Sequence, residues 1–253
     1  ADLSSGHSGF LFEALIEGVN QEQQTICSDT TWKGNLGEAF LLKTIYDARQ
    51  EPGDWHALDY DDSKWPQANL VEKIPNKRWN LIPSLLLPLM EYQYPAQKVH
   101  LISKNAEKYI ENPVGCLGLD PTQPMKIING KNVEFMLEFD KEISGYLQFG
   151  MNSPIGVPFT FEFQENKGKT CFTDMYISKN GNQPFELFRL RPCQFLKVKV
   201  EFTECEDKTN PVEIFFLGIN FVAYPVQNIG QFSCSDPNLI AIWNAGRYTE
   251  QLC

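Results

Sequence analysis

Residues 132–139 read NVEFMLEF. Val133, Phe135, Leu137 and Phe139 fall on one face, and Glu134 and Glu138 on the other. Period-two alternation of this kind marks a strand with one buried side. The pattern continues outward from there. ISGYLQFGM (143–151) follows after a Lys141–Glu142 turn, and in GVPFTFEFQEN (156–166) Val157, Phe159, Phe161 and Phe163 share a face. Next come a turn over 166–169, TDMYIS (173–178), the tight Lys179-Asn180-Gly181 turn, PFELFRL (184–190) and FLKVKVEF (195–202). VEIFFLGINFVAYPV (212–226) is the last strand. Alternating strands with turns roughly every ten residues predict an all-β chain of antiparallel sandwiches. The phenylalanine stripe could serve as a stacking platform for bases or sugars. Aromatic residues alternating along paired strands are more often core, and that reading is preferred.

The chain has 253 residues, enough for two ordinary domains or one large β domain. It holds 22 Lys and Arg against 32 Asp and Glu, a net charge of -10. That balance argues against a nucleic-acid backbone or an anionic membrane as partner. The longest aliphatic run, IPSLLLPLM (82–90), is broken by prolines and too short to span a bilayer. No signal peptide is visible at Ala1, and localisation stays open between bacterial cytoplasm and a periplasmic or secreted site. Seven cysteines at scattered positions give no metal-ligand spacing and read as buried thiols. A Cys193–Cys205 disulfide across a hairpin is the alternative. Three histidines, His7, His56 and His100, are too sparse for a multi-histidine metal site. GKT at Gly168 lacks the glycine-rich loop of a phosphate cradle.

The first half is less regular. GFLFEALIEG (9–18) carries strand character and ends in a Gly-Val-Asn-Gln turn, and Thr30, Thr31 and Trp32 suit a strand or its edge. AFLLKTIYDAR (39–49) is ambiguous and is read as irregular or strand. Residues 66–113 are studded with prolines, which central strands do not tolerate. RWNLIPSLLLPLMEYQYP (78–95) is expected to be extended and partly buried, with a domain boundary near residue 95. In WHALDYDDSKW (55–65), Asp59, Asp61 and Asp62 lie between Trp55 and Trp65. Adjacent carboxylates can share a cation such as calcium. The plainer reading is a loop in which Asp61, Asp62 and Ser63 bond to their own backbone while the tryptophans plug the sandwich.

At the far end, FSCSDPNLIAIWNAGRYTEQLC (232–253) reads as a helix opening. Asp236 can cap it, Pro237 suits the first helical position, and Leu239, Ile240, Ile242, Trp243 and Leu252 supply apolar contacts. A lone helix of this length is marginal in water. Leu239, Ile242 and Trp243 are therefore expected to pack poorly or against a neighbouring chain, the alternative being that the helix folds back on the second sandwich.

WHALDYDDSKW resembles the signature of galactose-binding-like jelly rolls attached to glycoside hydrolases. YDARQEPGDWHALDYDDSKWPQA (46–68) resembles the accessory-domain segment of bacterial alpha-L-rhamnosidases. LIPSLLLPLMEY (81–92) resembles the proline-rich bridge that follows it there, and residues 232–253 resemble the opening of their catalytic barrel. The order and spacing of all three stretches match. The resemblance implies a partial galactose-binding-like sandwich with its bridge over 1–95, a second sandwich over 96–230, and the start of a helical catalytic domain over 231–253. It further implies that an (alpha/alpha)6 barrel of the same polypeptide, holding a general acid and a general base, follows and is missing here, and that the N-terminal region is clipped. The whole enzyme would cleave terminal alpha-L-rhamnose by inversion.

Glycoside hydrolysis needs two carboxylates flanking one bond. Glu13 and Glu17 lie near an early strand and Glu51 in a turn, while Glu134, Glu138, Glu162 and Glu201 alternate with apolar residues as a solvated sheet face. No pair has a spacing that marks an acid and a base, so no catalytic residue and no metal site are assigned. Three functions are carried forward. The first is a non-catalytic accessory β portion of a rhamnosidase-like hydrolase. The second is a carbohydrate-binding module for rhamnose-containing glycans using Trp55, Asp59, Asp61, Asp62 and Trp65, with or without calcium. The third is a protein-interaction domain whose exposed helix needs a partner.

Overall fold

The computed structural model describes residues 9–19, 22–35, 37–73, 82–118, 120, 122–128, 130–202 and 209–252. They are mostly β, with one helix near the C-terminus. No helix among them is long and apolar enough to cross a membrane. The chain divides into two compact units, one of residues 1–37 and 52–85, the other of 38–51 and 86–253. This division is drawn differently from the three expected domains. Residues 38–51 sit with the second unit, as does the C-terminal helix.

The first unit holds a hairpin of β1 (Glu13–Glu17) and β2 (Gln23–Cys27), paired antiparallel. Trp32 packs its ring on Phe10 and Phe12, at 6.0 and 5.5 Å. Beyond the hairpin, the described residues of this unit pair through a bridge between Lys33 and Gln67. That bridge closes the loop carrying residues 54–65.

The second unit is an eleven-stranded mixed sheet. Its strands are β3 (Phe40–Leu42), β4 (Ile45–Asp47), β5 (Met90–Tyr94), β6 (Lys98–Leu101), β7 (Ile110–Glu111), β8 (Met125–Ile127), β9 (Val133–Ser153), β10 (Pro158–Asn166), β11 (Lys169–Ile177), β12 (Gly181–Val200) and β13 (Val212–Ala223). The order is β3-β4-β11-β10-β12-β9-β13-β8-β7, with β5 on β13 and β6 on β9. The pairing of β4 with β11 is parallel; the other pairings are antiparallel. AFLLKTIYDAR thus forms the β3–β4 hairpin, and Asp47 then bonds the Arg49 backbone to start a short 3-10 turn.

One expected turn is absent, and two stretches read as separate strands are one. Lys141–Glu142 lies inside β9, a single strand of 21 residues, and PFELFRL and FLKVKVEF run together in β12. Asp140, Lys141 and Glu142 are exposed, so polar residues there mark a solvated stretch of continuous strand. One edge of β9 meets β12 along its length. The other takes β6 at residues 135–138 and β13 at 145–152. Register shifts in β12 between Glu186 and Leu190, and between Cys193 and Phe195, let the long pair bend. The halves then face each other as in a sandwich: Phe149 meets Phe161 at 5.7 Å and Tyr176 at 4.9 Å. Val133, Phe135, Leu137, Phe139, Phe159, Phe161 and Phe163 are all buried, so the stripe is core. Gly145 sits where β9 crosses β13; a Cβ there would run into the Asn220 carbonyl oxygen.

The proline-rich stretch differs from expectation in its burial. Ile82, Leu85, Leu86 and Leu87 are exposed, and regular structure resumes only at β5. Residues 78–81 of that stretch lie outside the described residues. The helix α1 spans Pro237–Leu252. Asp236 caps it as expected, accepting from the Asn238 backbone N–H at 2.8 Å. Its docking is confined to the C-terminal end, where Tyr248 and Leu252 pack on the core. The Tyr248 hydroxyl donates to the Glu142 carbonyl at 2.6 Å, and Lys141 Nζ stands 3.9 Å over its ring. Leu239, Ile242 and Trp243 are 48%, 66% and 39% exposed, and Trp243 touches the Phe232 ring. The helix therefore folds back at one end and leaves Leu239, Ile242 and Trp243 exposed, while Ile240 is half-buried. Of the cysteines, Cys116 and Cys193 are buried free thiols pushed up to about 12 by desolvation. Cys27, Cys171 and Cys234 are free and exposed, against the expectation of buried thiols. Cys205, the partner considered for Cys193, lies outside the described residues.

Candidate functional site

The loop 54–65 is a succession of tight turns. Ala57 N–H donates to Asp54 O, Tyr60 N–H to Ala57 O, and Trp65 N–H to Asp62 O. Asp61 accepts from the Ser63 backbone N–H at 3.0 Å, and this bonding to Ser63 holds its carboxyl below the usual range. Asp62 pairs with Lys33 at 2.7 Å, a contact that the Lys33–Gln67 bridge makes reachable. Asp59 is exposed. Calcium takes roughly six to eight oxygens gathered on one point. Here two of the three carboxylates turn to Ser63 and Lys33, and among the described residues no group of three or more acidic, His or Cys side chains could hold a metal. The donor set does not fit a calcium ion. The tryptophans also part company. Trp65 is half-buried against Tyr60, with ring centres 5.6 Å apart. Trp55 is 57% exposed, beside His56, and plugs nothing.

The acidic residues of the sheet are half-buried and paired rather than simply solvated. Glu134 meets Lys197 at 2.8 Å and Glu162 meets Lys199 at 2.6 Å. Both pairs run diagonally across β strands whose in-register partners are Glu134–Lys199 and Glu162–Lys197. Glu138 takes His100 at 2.7 Å and Lys98 at 3.4 Å, and these contacts, His100 foremost, lower its carboxyl. Burial works to raise Glu162, but bonds from Lys199 and Thr170 outweigh it and the net shift is downward. Lys126 lowers Glu213 from 2.7 Å. Arg49 does the same for the buried Asp47 through a two-pronged contact of 2.8 Å on each arm. Glu51 binds the Tyr46 hydroxyl at 2.9 Å and Lys179. A groove of about 500 Å³ lies along this face, lined by Leu101, Ile102 and Met136 as well as by His100, Glu162 and Lys197.

Among the described residues, the carboxyl shifts that are resolved, at seven of the acidic side chains, are downward. A general acid for glycoside cleavage needs the opposite, a carboxyl raised by apolar surroundings or a like charge so that it keeps its proton.

Comparison with known proteins gives the same direction as the sequence motifs. Residues 2–90 match the family model described as the alpha-L-rhamnosidase N-terminal domain. An alpha-L-rhamnosidase of Formosa agariphila is 24% identical over 245 residues, covering 88% of this chain and 22% of that protein. Two solved structures superimpose over most of the chain. The alpha-L-rhamnosidase of Streptomyces avermitilis, complexed with L-rhamnose, has a TM-score of 0.59 at 17% identity, covering 96% of this chain and 22% of its own. The alpha-L-rhamnosidase of Aspergillus terreus has a TM-score of 0.54 at 18% identity, covering 90% and 24%. At these identities the structural likeness speaks for the fold. The class that emerges is a mostly β domain of the kind found in glycoside hydrolases. More particularly, the chain is related at the family level to alpha-L-rhamnosidase-like proteins. It spans about a fifth of the length of the curated relative it matches.

Proposed function

We propose that this chain is a non-catalytic accessory β portion of an alpha-L-rhamnosidase-like hydrolase. In this reading residues 1–95 correspond to a galactose-binding-like sandwich and its bridge, and 96–230 to a second sandwich. Residues 231–253 lead into a helical catalytic domain of the same polypeptide, which cleaves terminal alpha-L-rhamnose by inversion. The observation that carries the non-catalytic part is the state of the carboxyls. Glu134, Glu138, Glu162 and Glu213 are held by lysines or histidine and Asp47 by arginine, and the resolved shifts favour the ionised form. Glu91 and Glu186 share the Asn220 amide instead, and Asp140 accepts from the Tyr94 hydroxyl. A carbon-13 NMR titration of the side-chain carboxyls tests it. Glu138, Glu162 and Glu213 are expected to titrate below the usual glutamate value. A carboxyl in any of them that kept its proton toward neutral pH would overturn the reading.

A second reading, sugar binding in the loop 54–65, is favoured by the exposure of Trp55, whose open face suits a sugar ring. The candidates remain Trp55, Asp59, Asp61, Asp62 and Trp65. Calorimetric titration with L-rhamnose, with and without calcium, decides it. Heat that vanishes in Trp55→Ala supports binding, and no heat up to millimolar sugar removes it. Given the donor set, any heat is expected to be independent of calcium.

A further inference from the structure

A cleft in the second unit belongs to none of the sites above. It opens where the β3–β4 hairpin meets β11 and the irregular middle of β12, and it has a volume of about 430 Å³. That lies within the size range of small-molecule sites. Hairpin and sheet are joined by the parallel β4–β11 pairing and by the Met175 N–H donating to Thr44 O at 2.8 Å. Rings form the wall. Phe40 lies 5.0 Å from Tyr46, edge-on, and 5.0 Å from Phe188. Phe40 is nevertheless 50% exposed and Phe188 62% exposed, so each offers aromatic surface to a ligand.

The polar groups around the cleft sort by whether they are committed. Asp174 is buried and holds Arg191 by two bonds of 2.7 Å. The Tyr46 hydroxyl is bound to Glu51. Lys43 and Arg189 line the cleft from exposed positions and make no ion pair among the described residues. A ligand thus meets an apolar aromatic wall, two cations and the half-buried Thr44, with the lining carboxylate of Asp174 already bonded to arginine. This pattern is poor for a neutral sugar, whose hydroxyls need acceptors as well as donors. It suits a planar apolar body with a negative end, which would lie against Phe40 and Phe188 and turn its carboxylate to Lys43 and Arg189.

We infer that this cleft binds a small aryl carboxylate. The inference stands apart from the accessory-domain reading, because no rhamnoside chemistry enters it. Binding would also tie the hairpin to the sheet, since both form the walls.

The test uses the full chain and three probes: 2-naphthoate, the neutral 2-naphthamide, and D-glucuronate, an anion without an aromatic face. Calorimetry or saturation-transfer NMR should detect 2-naphthoate, with affinity that falls as salt is added. Naphthamide and glucuronate should bind about tenfold more weakly or not at all, each lacking one half of the recognition. Phe188→Ala should weaken naphthoate by about tenfold through lost ring contact. Lys43→Ala combined with Arg189→Ala should weaken it by a similar factor, about tenfold, and flatten the salt dependence. All three side chains are exposed, so folding is expected to survive and circular dichroism checks it. No binding of naphthoate, equal binding of either control probe, or full affinity in both variants would overturn the inference.

Discussion

Arg191 and Asp174 form the most deeply buried ion pair among the described residues. Their side chains are 8% and 4% exposed, the guanidinium grips the carboxylate twice, and it also lies 4.8 Å from the Phe172 ring. Removing one partner strands a buried charge. Arg191→Met is expected to cost about 3–5 kcal/mol in urea unfolding, and adding Asp174→Leu should recover much of that loss. Equal losses in single and double variants would show that the pair is not the cause. Asp47 gives a pH prediction. Its folded carboxyl is lowered from 3.8, mainly by the Arg49 side chain, so its contribution is complete above that value and is lost as pH falls through the folded pKa. The acid limb of the stability profile should therefore be shallower in Asp47→Asn. An unchanged limb would discount the Arg49 contact. At this scale the sequence was legible where bonding is local. Asp61 with Ser63 and Asp236 with Asn238 are two residues apart and follow from loop and cap chemistry. Arg191 with Asp174 was not, because that meeting depends on where β12 bends. Leu187 beside Phe188 breaks the period of two and is the one sign of that bend in the sequence, and of the cleft beside it.

Among the elements, the β3–β4 hairpin and α1 are the two whose attachment is most readily tested. The hairpin is anchored by Tyr46, whose ring lies 4.5 Å from Phe185 and stacks on Tyr176 at 5.9 Å. Tyr46→Ala should destabilise the large sheet by about 3 kcal/mol, the scale of deleting a packed aromatic ring. A loss confined to the first unit would contradict the assignment of residues 38–51. For the helix, Tyr248→Ala removes a hydrogen bond and a cation–ring contact, and should cost about 1–3 kcal/mol. Trp243→Ala, at a position 39% exposed whose ring touches Phe232, should cost less than Tyr248→Ala, about 1 kcal/mol or below. The reverse order would mean that the N-terminal half of α1 carries the docking. Strand alternation and the helix cap were readable from local pattern. The length of β9 and β12 was not, since exposed polar residues inside a long strand look the same as a turn.

For the whole molecule, the relatives give a family-level relation to alpha-L-rhamnosidase-like proteins, and the mostly β fold agrees with it. The strands of the second half and the rhamnosidase-like motifs were legible because apolar alternation and short signatures are local. The loop 54–65 was legible as a motif but not as a geometry. Whether Trp55, Asp59, Asp61, Asp62 and Trp65 converge depends on Lys33 and Gln67, far off in sequence, which set how the loop closes. The proposal at the centre is that this chain is a non-catalytic accessory β portion of an alpha-L-rhamnosidase-like hydrolase. The most direct measurement is the turnover of an aryl alpha-L-rhamnoside by the purified chain of residues 1–253. The account expects release of the phenol no faster than in buffer across the acid-to-neutral range. Turnover that saturates with substrate, and is abolished by neutralising an acidic residue of this chain, would contradict it.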